Sequence, residues 1–281
     1  MAGKTCLVTG ATAGIGAVTA EALARCGASM ILVGRDPMRC DATVKALRLA
    51  TGNLEIRSIV ADMSSQSEVR RLANEVKELY PRLNVLVNNA GAMFPKRTES
   101  VDGIEMTWAL NHLGYFLLTN LLLDRLKESG PARVVNVASD AHRAMRRGLN
   151  WDDLEGKRRY RTFRAYSQSK LANILFSNEL ARRLEGTNVT SNCLHPGFVR
   201  TNFFIDKGRI GWLFKQFARF LAIEPETGAK TSIDLATSPE VEGVSGKYFD
   251  KCKPGKPSAA SQDVEAARKL WDLSAGMTGL N

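Results

Sequence analysis

Short apolar runs rich in Val, Ile and Leu alternate along the chain with segments whose apolar residues recur three and four positions apart. The first pattern suits strands buried on both faces, the second amphipathic helices lying against them. The runs place strands at Thr5 to Thr9, Met30 to Val33, Glu55 to Val60, Val85 to Val87, Arg133 to Val137, Thr190 to Leu194 and Lys247 to Phe249. Strands separated by helices imply βαβ units, because parallel neighbours need a crossover connection. The expectation is an α/β fold built on a doubly wound parallel sheet of seven strands, with helices on both faces.

Punctuation marks several helix ends. Gly14 to Arg25 reads as a helix that Gly27 caps. Ser65 followed by Glu68 has the form of a capping box, opening a helix that stops at Pro81. Ser261 is expected to begin the last helix, and Leu113 to Leu123 reads as a buried one. No repeat or low-complexity tract divides the chain, so residues 1–281 are expected to form one domain. Residues 140–165 and 200–225 fit the alternation worst and read as insertions, where long loops of such a domain often carry function.

Composition narrows the classes. At 281 residues and 44% hydrophobic, the chain can bury a full core. Cys6, Cys26, Cys40, Cys193 and Cys252 are an odd number without C-x-x-C spacing, which argues for reduced thiols rather than disulfides or a zinc site. An apolar strand begins directly after MAGK, so no signal peptide or N-terminal anchor is expected there, and the location is expected to be cytoplasmic. The net charge of +10 raises the question of nucleic-acid or anionic-membrane binding. Between Arg143 and Arg164, however, eight basic residues face three acidic ones, so half of the excess is confined to one segment. No nucleic-acid-binding motif accompanies it, and nucleic acid is not an expected partner.

The first strand runs directly into TGATAGIG, with Gly10, Gly14 and Gly16 opening a helix. Glycines there let backbone approach a phosphate, and the free N–H groups and dipole of the helix start favour negative charge. The spacing T-G-x-x-x-G-x-G over Thr9 to Gly16 resembles the short-chain dehydrogenase/reductase family, which implies a Rossmann-type fold and a nicotinamide dinucleotide. Thr12, Ala13 and Ile15 of this turn then belong to the cofactor cradle. At the end of the second strand Arg35 precedes Asp36. We assign Arg35 to a 2′-phosphate and Asp36 to the N-cap of a helix starting at Pro37, which favours NADP(H) over NAD(H). Ala13 weighs against that preference, since many NADP-dependent relatives carry a cation there. The resemblance further places Asp62, Met63, Asn89, Ala90 and Gly91 along the adenine and ribose. It sets Pro196, Gly197, Val199 and Thr201, in HPGFVRTN, against the nicotinamide and its phosphates.

Tyr166 and Lys170 lie four apart in AYSQSKLANIL, one helical turn, so their polar ends can meet. With Asn111 and Ser139 they match, in order, the Asn-Ser-Tyr-Lys tetrad of that family. The residue types suit carbonyl reduction, in which hydride transfer builds charge on oxygen and a proton donor must stand beside it. An ammonium ~4 Å from a phenol favours the phenolate by roughly 4 kcal/mol at an effective dielectric of about 20, which would bring Tyr166 to about pH 7. In the roles the resemblance implies, Tyr166 is general acid or base and Lys170 lowers its pKa and binds the nicotinamide ribose. Ser139 positions the substrate oxygen and Asn111 holds a relay water. The three histidines, His112, His142 and His195, have no ligand spacing and read as capping or packing residues; no metal is required. A hydrolase reading of Ser139, Asp140 and His142 lacks the G-x-S-x-G elbow.

NWDDLEGKRRYRTFRAYSQSKLANILFSNELARRL and the ending GKYFDKCKPGKPSAASQDVEAARKLWDLS resemble the retinol dehydrogenase-like branch. That implies a lipophilic aldehyde, alcohol or ketone: a retinal-like, medium-chain or aromatic carbonyl. Residues 203–223 mix aromatic with basic side chains and are expected to act as a lid over a greasy substrate, with a core helix and a peripheral membrane contact as alternatives. A steroid or other carbonyl reductase, and a non-catalytic dinucleotide-sensing or scaffold protein on the same fold, also stay open. So does a homo-oligomer.

Overall fold

The computed structural model describes residues 1–197 and 223–280. Val199, Thr201, nearly all of the expected 200–225 insertion and the 203–223 lid lie outside the described residues.

Strands β1 (Thr5–Thr9), β2 (Ser29–Gly34), β3 (Ile56–Val60), β4 (Val85–Asn88), β5 (Ala132–Val137), β6 (Val189–His195), β7 (Tyr248–Asp250) and β8 (Lys253–Pro254) form one sheet in the order 3-2-1-4-5-6-7-8. All neighbours are parallel except β7 and β8. The expected seven strands become eight because Lys251 and Cys252, both with positive φ, turn the chain back after β7. A two-residue strand carries no readable hydrophobic pattern.

Register explains why the strands read as continuous apolar runs. Leu7, Ile31, Val33, Leu86 and Val134 enter a core on one face of the sheet, while Cys6, Val8, Met30, Leu32, Val85 and Val87 enter the core on the other. Each fully buried Leu, Ile or Val is worth about 2 kcal/mol of transfer free energy, so both faces demand cover. Helices α1 (Gly14–Arg25), α2 (Pro37–Thr51), α3 (Gln66–Leu79), α4 (Met106–Trp108), α5 (Gly114–Leu121), α6 (Leu123–Glu128), α7 (Thr162–Arg183), α8 (Pro225–Thr237) and α9 (Val264–Thr278) provide it. None among the described residues is long and apolar enough to cross a membrane.

Local details follow the sequence with two corrections. Ser65 caps α3 by accepting the Glu68 N–H at 3.4 Å, but the Glu68 carboxylate pairs with Arg71 at 2.8 Å instead of closing the capping box. The last helix begins at Val264 with Asp263 as its cap; Ser261 belongs to a preceding 3-10 turn. The 140–165 insertion is two 3-10 turns, Asp140–Ala144 and Trp151–Asp153, leading into α7. A buried polar ladder locks α7 onto the sheet: Asn88 Nδ2 donates to Asn136 Oδ1 at 2.9 Å, and Asn136 Nδ2 to Ser177 Oγ at 3.2 Å. Amides paired in this way inside an apolar core favour one register.

Candidate active site

The first βα turn is built by close contacts that exclude side chains. A Cβ at Gly16 would sit 2.3 Å from the Gly10 carbonyl oxygen and 2.5 Å from Asn89 Nδ2, and Gly10 itself has φ +66°. Thr9 Oγ1 accepts the N–H groups of Asn89 and Ala90 at 2.9 and 3.0 Å, which joins the ends of β1 and β4. The start of α1 has no side-chain cap and no acid in its first turn. Uncapped N–H groups on a helix of that length fit a dinucleotide pyrophosphate.

At the next strand end Asp36 caps α2, its Oδ1 accepting the Arg39 N–H at 3.2 Å, as the sequence implies. Arg35 is exposed beside it. Arg39, which sequence reading passed over, reaches back with Nη2 to the Thr12 carbonyl at 3.4 Å. Its signal was a second arginine four positions after Arg35 that a βα loop returns to the glycine turn. Asp62 and Asn89 have their side chains engaged within the turns at the strand ends. Asp62 Oδ1 accepts from Ser64 N–H and Oγ at 2.9 and 2.7 Å, and Asn89 Nδ2 donates to the Thr9 carbonyl at 2.8 Å. Both shape the turns at the strand ends. Met63 is buried with its carbonyl against Gly114. Thr12, Ala13, Gly14 and Ile15 line the open side of the first turn, with Ala13 exposed. Pro196 and Gly197 follow β6; Gly197 has φ +86°, and a Cβ there would meet Ile223 at 2.6 Å.

The tetrad meets at the carboxyl ends of β4 and β5 and the start of α7. Asn111 sits in a π-helical stretch, Ala109–Leu113, of the kind frequent at functional sites. Its side chain accepts the Ala92 N–H at 2.9 Å and donates to the Ala92 carbonyl at 3.0 Å and to Ser169 Oγ at 3.1 Å. With its amide so committed, Asn111 anchors the loop after β4 to α7. Gly91 lies between, and a Cβ there would be 3.2 Å from Asn111 Oδ1 and 3.6 Å from Lys170 Nζ, so bare backbone leaves room over the lysine. Ser139 follows β5, its Oγ accepting the Ala141 N–H at 3.2 Å and hydrogen bonding with Tyr166. Lys170 is buried, donates to the Val137 carbonyl at 2.8 Å, and stands over the rings of both Tyr115 and Tyr166, 5.7 Å from each centroid. Tyr115, four residues after Asn111, is a site residue that the sequence reading missed; its hydroxyl is buried without a partner.

The electrostatics depart from the sequence expectation. Burial pushes the Tyr166 phenol up to about 12, with the Ser139 bond pulling the other way, and burial brings Lys170 down to about 7. Tyr166 is not drawn toward neutrality, because desolvation disfavours phenolate and ammonium alike and the lysine's hydrogen bond goes to Val137. A protonated phenol beside Ser139 is the acid form of the pair. His142 faces the Ser139 carbonyl at 2.7 Å, an arrangement unlike a hydrolytic triad.

Residues 4–209 match the family described as short chain dehydrogenase. The chain is 45% identical over 302 residues to retinol dehydrogenase 14 of Homo sapiens, covering 100% of this chain and 88% of that one. Against retinol dehydrogenase 13 of Homo sapiens identity is 44% over 284 residues, covering 99% and 85%. Among solved structures, an uncharacterized protein from Mycobacterium paratuberculosis superimposes with a TM-score of 0.79 at 34% identity, covering 99% of this chain and 94% of that one. RhlG of Pseudomonas aeruginosa, solved as an NADP active-site complex, gives 0.70 at 29% identity, covering 93% and 97%.

Proposed function

This chain is an alcohol and carbonyl oxidoreductase belonging to the short-chain dehydrogenase family, and we propose that it uses NADP(H) to interconvert a lipophilic aldehyde or ketone and its alcohol. The observation that carries the reading is the meeting of Ser139-bonded Tyr166 with Lys170 at the carboxyl edge of the sheet, where doubly wound folds bind ligands.

The cofactor, when bound, supplies the hydride that adds to the carbonyl carbon. Every other task falls to the chain. The uncapped start of α1 and the Gly10 to Gly16 turn would hold the pyrophosphate. Arg35 and Arg39 bring two cations to the end of β2, and the acid between them in sequence, Asp36, is spent on its cap. That arrangement supports a 2′-phosphate. Ser139 and Tyr166 would both donate to the substrate oxygen, and Tyr166 delivers the proton that completes the alcohol. In the reverse direction the alcohol proton returns to a phenolate, which the Lys170 ammonium favours across the ring face. The retinol dehydrogenase relatives support a lipophilic substrate. A non-catalytic sensor would have no use for a phenol and a hydroxyl hydrogen bonded to each other beside a buried amine.

The test is a panel of retinal, medium-chain aldehydes, steroids and aromatic ketones with NADPH or NADH, followed by nicotinamide absorbance. Turnover of at least one carbonyl with NADPH preferred is expected; preference for NADH would remove the 2′-phosphate assignment.

A further inference from the structure

Both ring nitrogens of His142 are committed. Nδ1 lies 2.7 Å from the Ser139 carbonyl oxygen, and Nε2 accepts the Ser258 backbone N–H at 3.0 Å. A nitrogen facing a carbonyl must carry a proton, and one facing an N–H must not. Only the neutral Nδ1–H tautomer satisfies both. The ring is fully buried and packs edge-on against Tyr248, centroids 5.4 Å apart.

The same turn is gripped from its other side. The Asp140 N–H donates to His195 Nδ1 at 3.3 Å, and Asp140 Oδ1 accepts from Tyr248 Oη at 2.8 Å and Arg143 Nε at 3.0 Å. Arg143 Nη2 also donates to the Lys256 carbonyl at 2.7 Å, two residues before Ser258. The hydroxyl of Ser139 thus sits on a turn held by side chains from its own loop and from β6 and β7, and by backbone groups of the segment after β8.

We propose that His142 is the positioning residue of Ser139: as a neutral Nδ1–H imidazole it ties the Ser139 turn to the segment at Ser258, and its protonation releases that tie and lowers turnover. The proposal rests on the reading of Ser139 as the hydroxyl that orients the substrate oxygen. A proton on Nε2 would set two donors against each other and strip a buried amide of its acceptor. Arg143 on the same turn and His195 on β6 oppose an imidazolium, Asp140 favours it, and Tyr248 on β7 faces the ring edge-on. Burial outweighs Asp140 and holds the ring's pKa below the usual imidazole range.

Two substitutions separate the halves of the tie. His142→Asn puts an amide N–H where Nδ1 stands and keeps the bond to Ser139; His142→Gln reaches the Nε2 position and keeps only Ser258. In carbonyl reduction with NADPH, each is expected to lower kcat by about tenfold or more with KM for NADPH unchanged, since each cuts one end of the tie. Wild type is expected to lose kcat on the acid side of the imidazole range, and His142→Asn to lack that limb. Without any substrate, the nitrogen chemical shifts of the His142 ring are expected to report Nδ1–H and a bare Nε2 near neutral pH. An Nε2–H tautomer or an imidazolium there, or a His142→Gln enzyme with wild-type kcat and pH profile, overturns the proposal. If wild type turns over no carbonyl, the functional reading fails and the ring shifts alone decide the tautomer.

Discussion

Lys170 Nζ stands over the Tyr166 ring, 5.7 Å from its centroid, while its hydrogen bond goes to the Val137 carbonyl at 2.8 Å. The amine is therefore placed to stabilise a phenolate without lying in the plane of the phenol's own bonds. The Tyr115 ring, also at 5.7 Å, supplies a second aromatic surface to an ammonium otherwise removed from water.

That burial has a measurable cost. The folded-state pKa of Lys170 is lowered from 10.5 to about 7, so between those values the unfolded chain binds more protons and stability rises with pH; the penalty is fully present below about 7. Lys170→Met should be more stable than wild type near neutral pH, on the order of 2 kcal/mol, and the difference should shrink as pH rises toward 10.5. Denaturant titrations of both proteins at several pH values check this. A constant difference would mean that Lys170 is not titrating as stated.

On the proposed mechanism, Tyr166→Phe removes the proton that completes the alcohol but leaves the glycine turn and both arginines in place. Turnover should fall by about a thousandfold or more, with NADPH affinity within about twofold of wild type. Steady-state kinetics and cofactor fluorescence would be compared. Retained activity would sink the mechanism.

Arg35→Ala and Arg39→Ala should each weaken NADPH by about tenfold or more, the scale of one charge-assisted hydrogen bond, and leave NADH nearly unchanged. Calorimetric titration with both cofactors gives the two ratios. Equal losses for both would show that neither arginine reads the 2′-phosphate.

Gly16→Ala and Gly276→Ala are chemically identical and should act in opposite directions. The first drives a methyl to within 2.3 Å of the Gly10 carbonyl oxygen, so the turn must open, with loss of stability and of cofactor affinity. The second enters open space on the exposed face of α9 and should add about 0.5 to 1 kcal/mol through helix propensity and a less flexible unfolded chain. Thermal melts with and without NADPH distinguish them.

Much of the fold is legible in the sequence. Strand β1 and helix α1 have the ends that the sequence gives them, because a buried apolar run and a glycine turn are local signals. The Asp36 cap was readable for the same reason: its bond to the Arg39 N–H spans three residues. Leu171, Ile174 and Leu175, apolar positions of AYSQSKLANIL at helical spacing, are 0, 0 and 1% exposed. What escaped was of longer range. Strand β8 exists only because β7 is there to pair with it. Tyr115 and Arg39 became site residues through contacts with Lys170 and Thr12, 55 and 27 positions away.

The sequence by itself determined the alternation of strand and helix and the glycine turn, since each rests on periodicity or on spacing within a few residues, while Asn111, Ser139, Tyr166 and Lys170 were singled out by resemblance to a family. The tertiary structure decided protonation. A helical pair four apart suggested a phenol drawn toward neutrality, yet desolvation pushes Tyr166 up to about 12 and Lys170 down to about 7. Desolvation depends on everything packed around a group, and only the folded chain brings β4, β5, α5 and α7 together at one place.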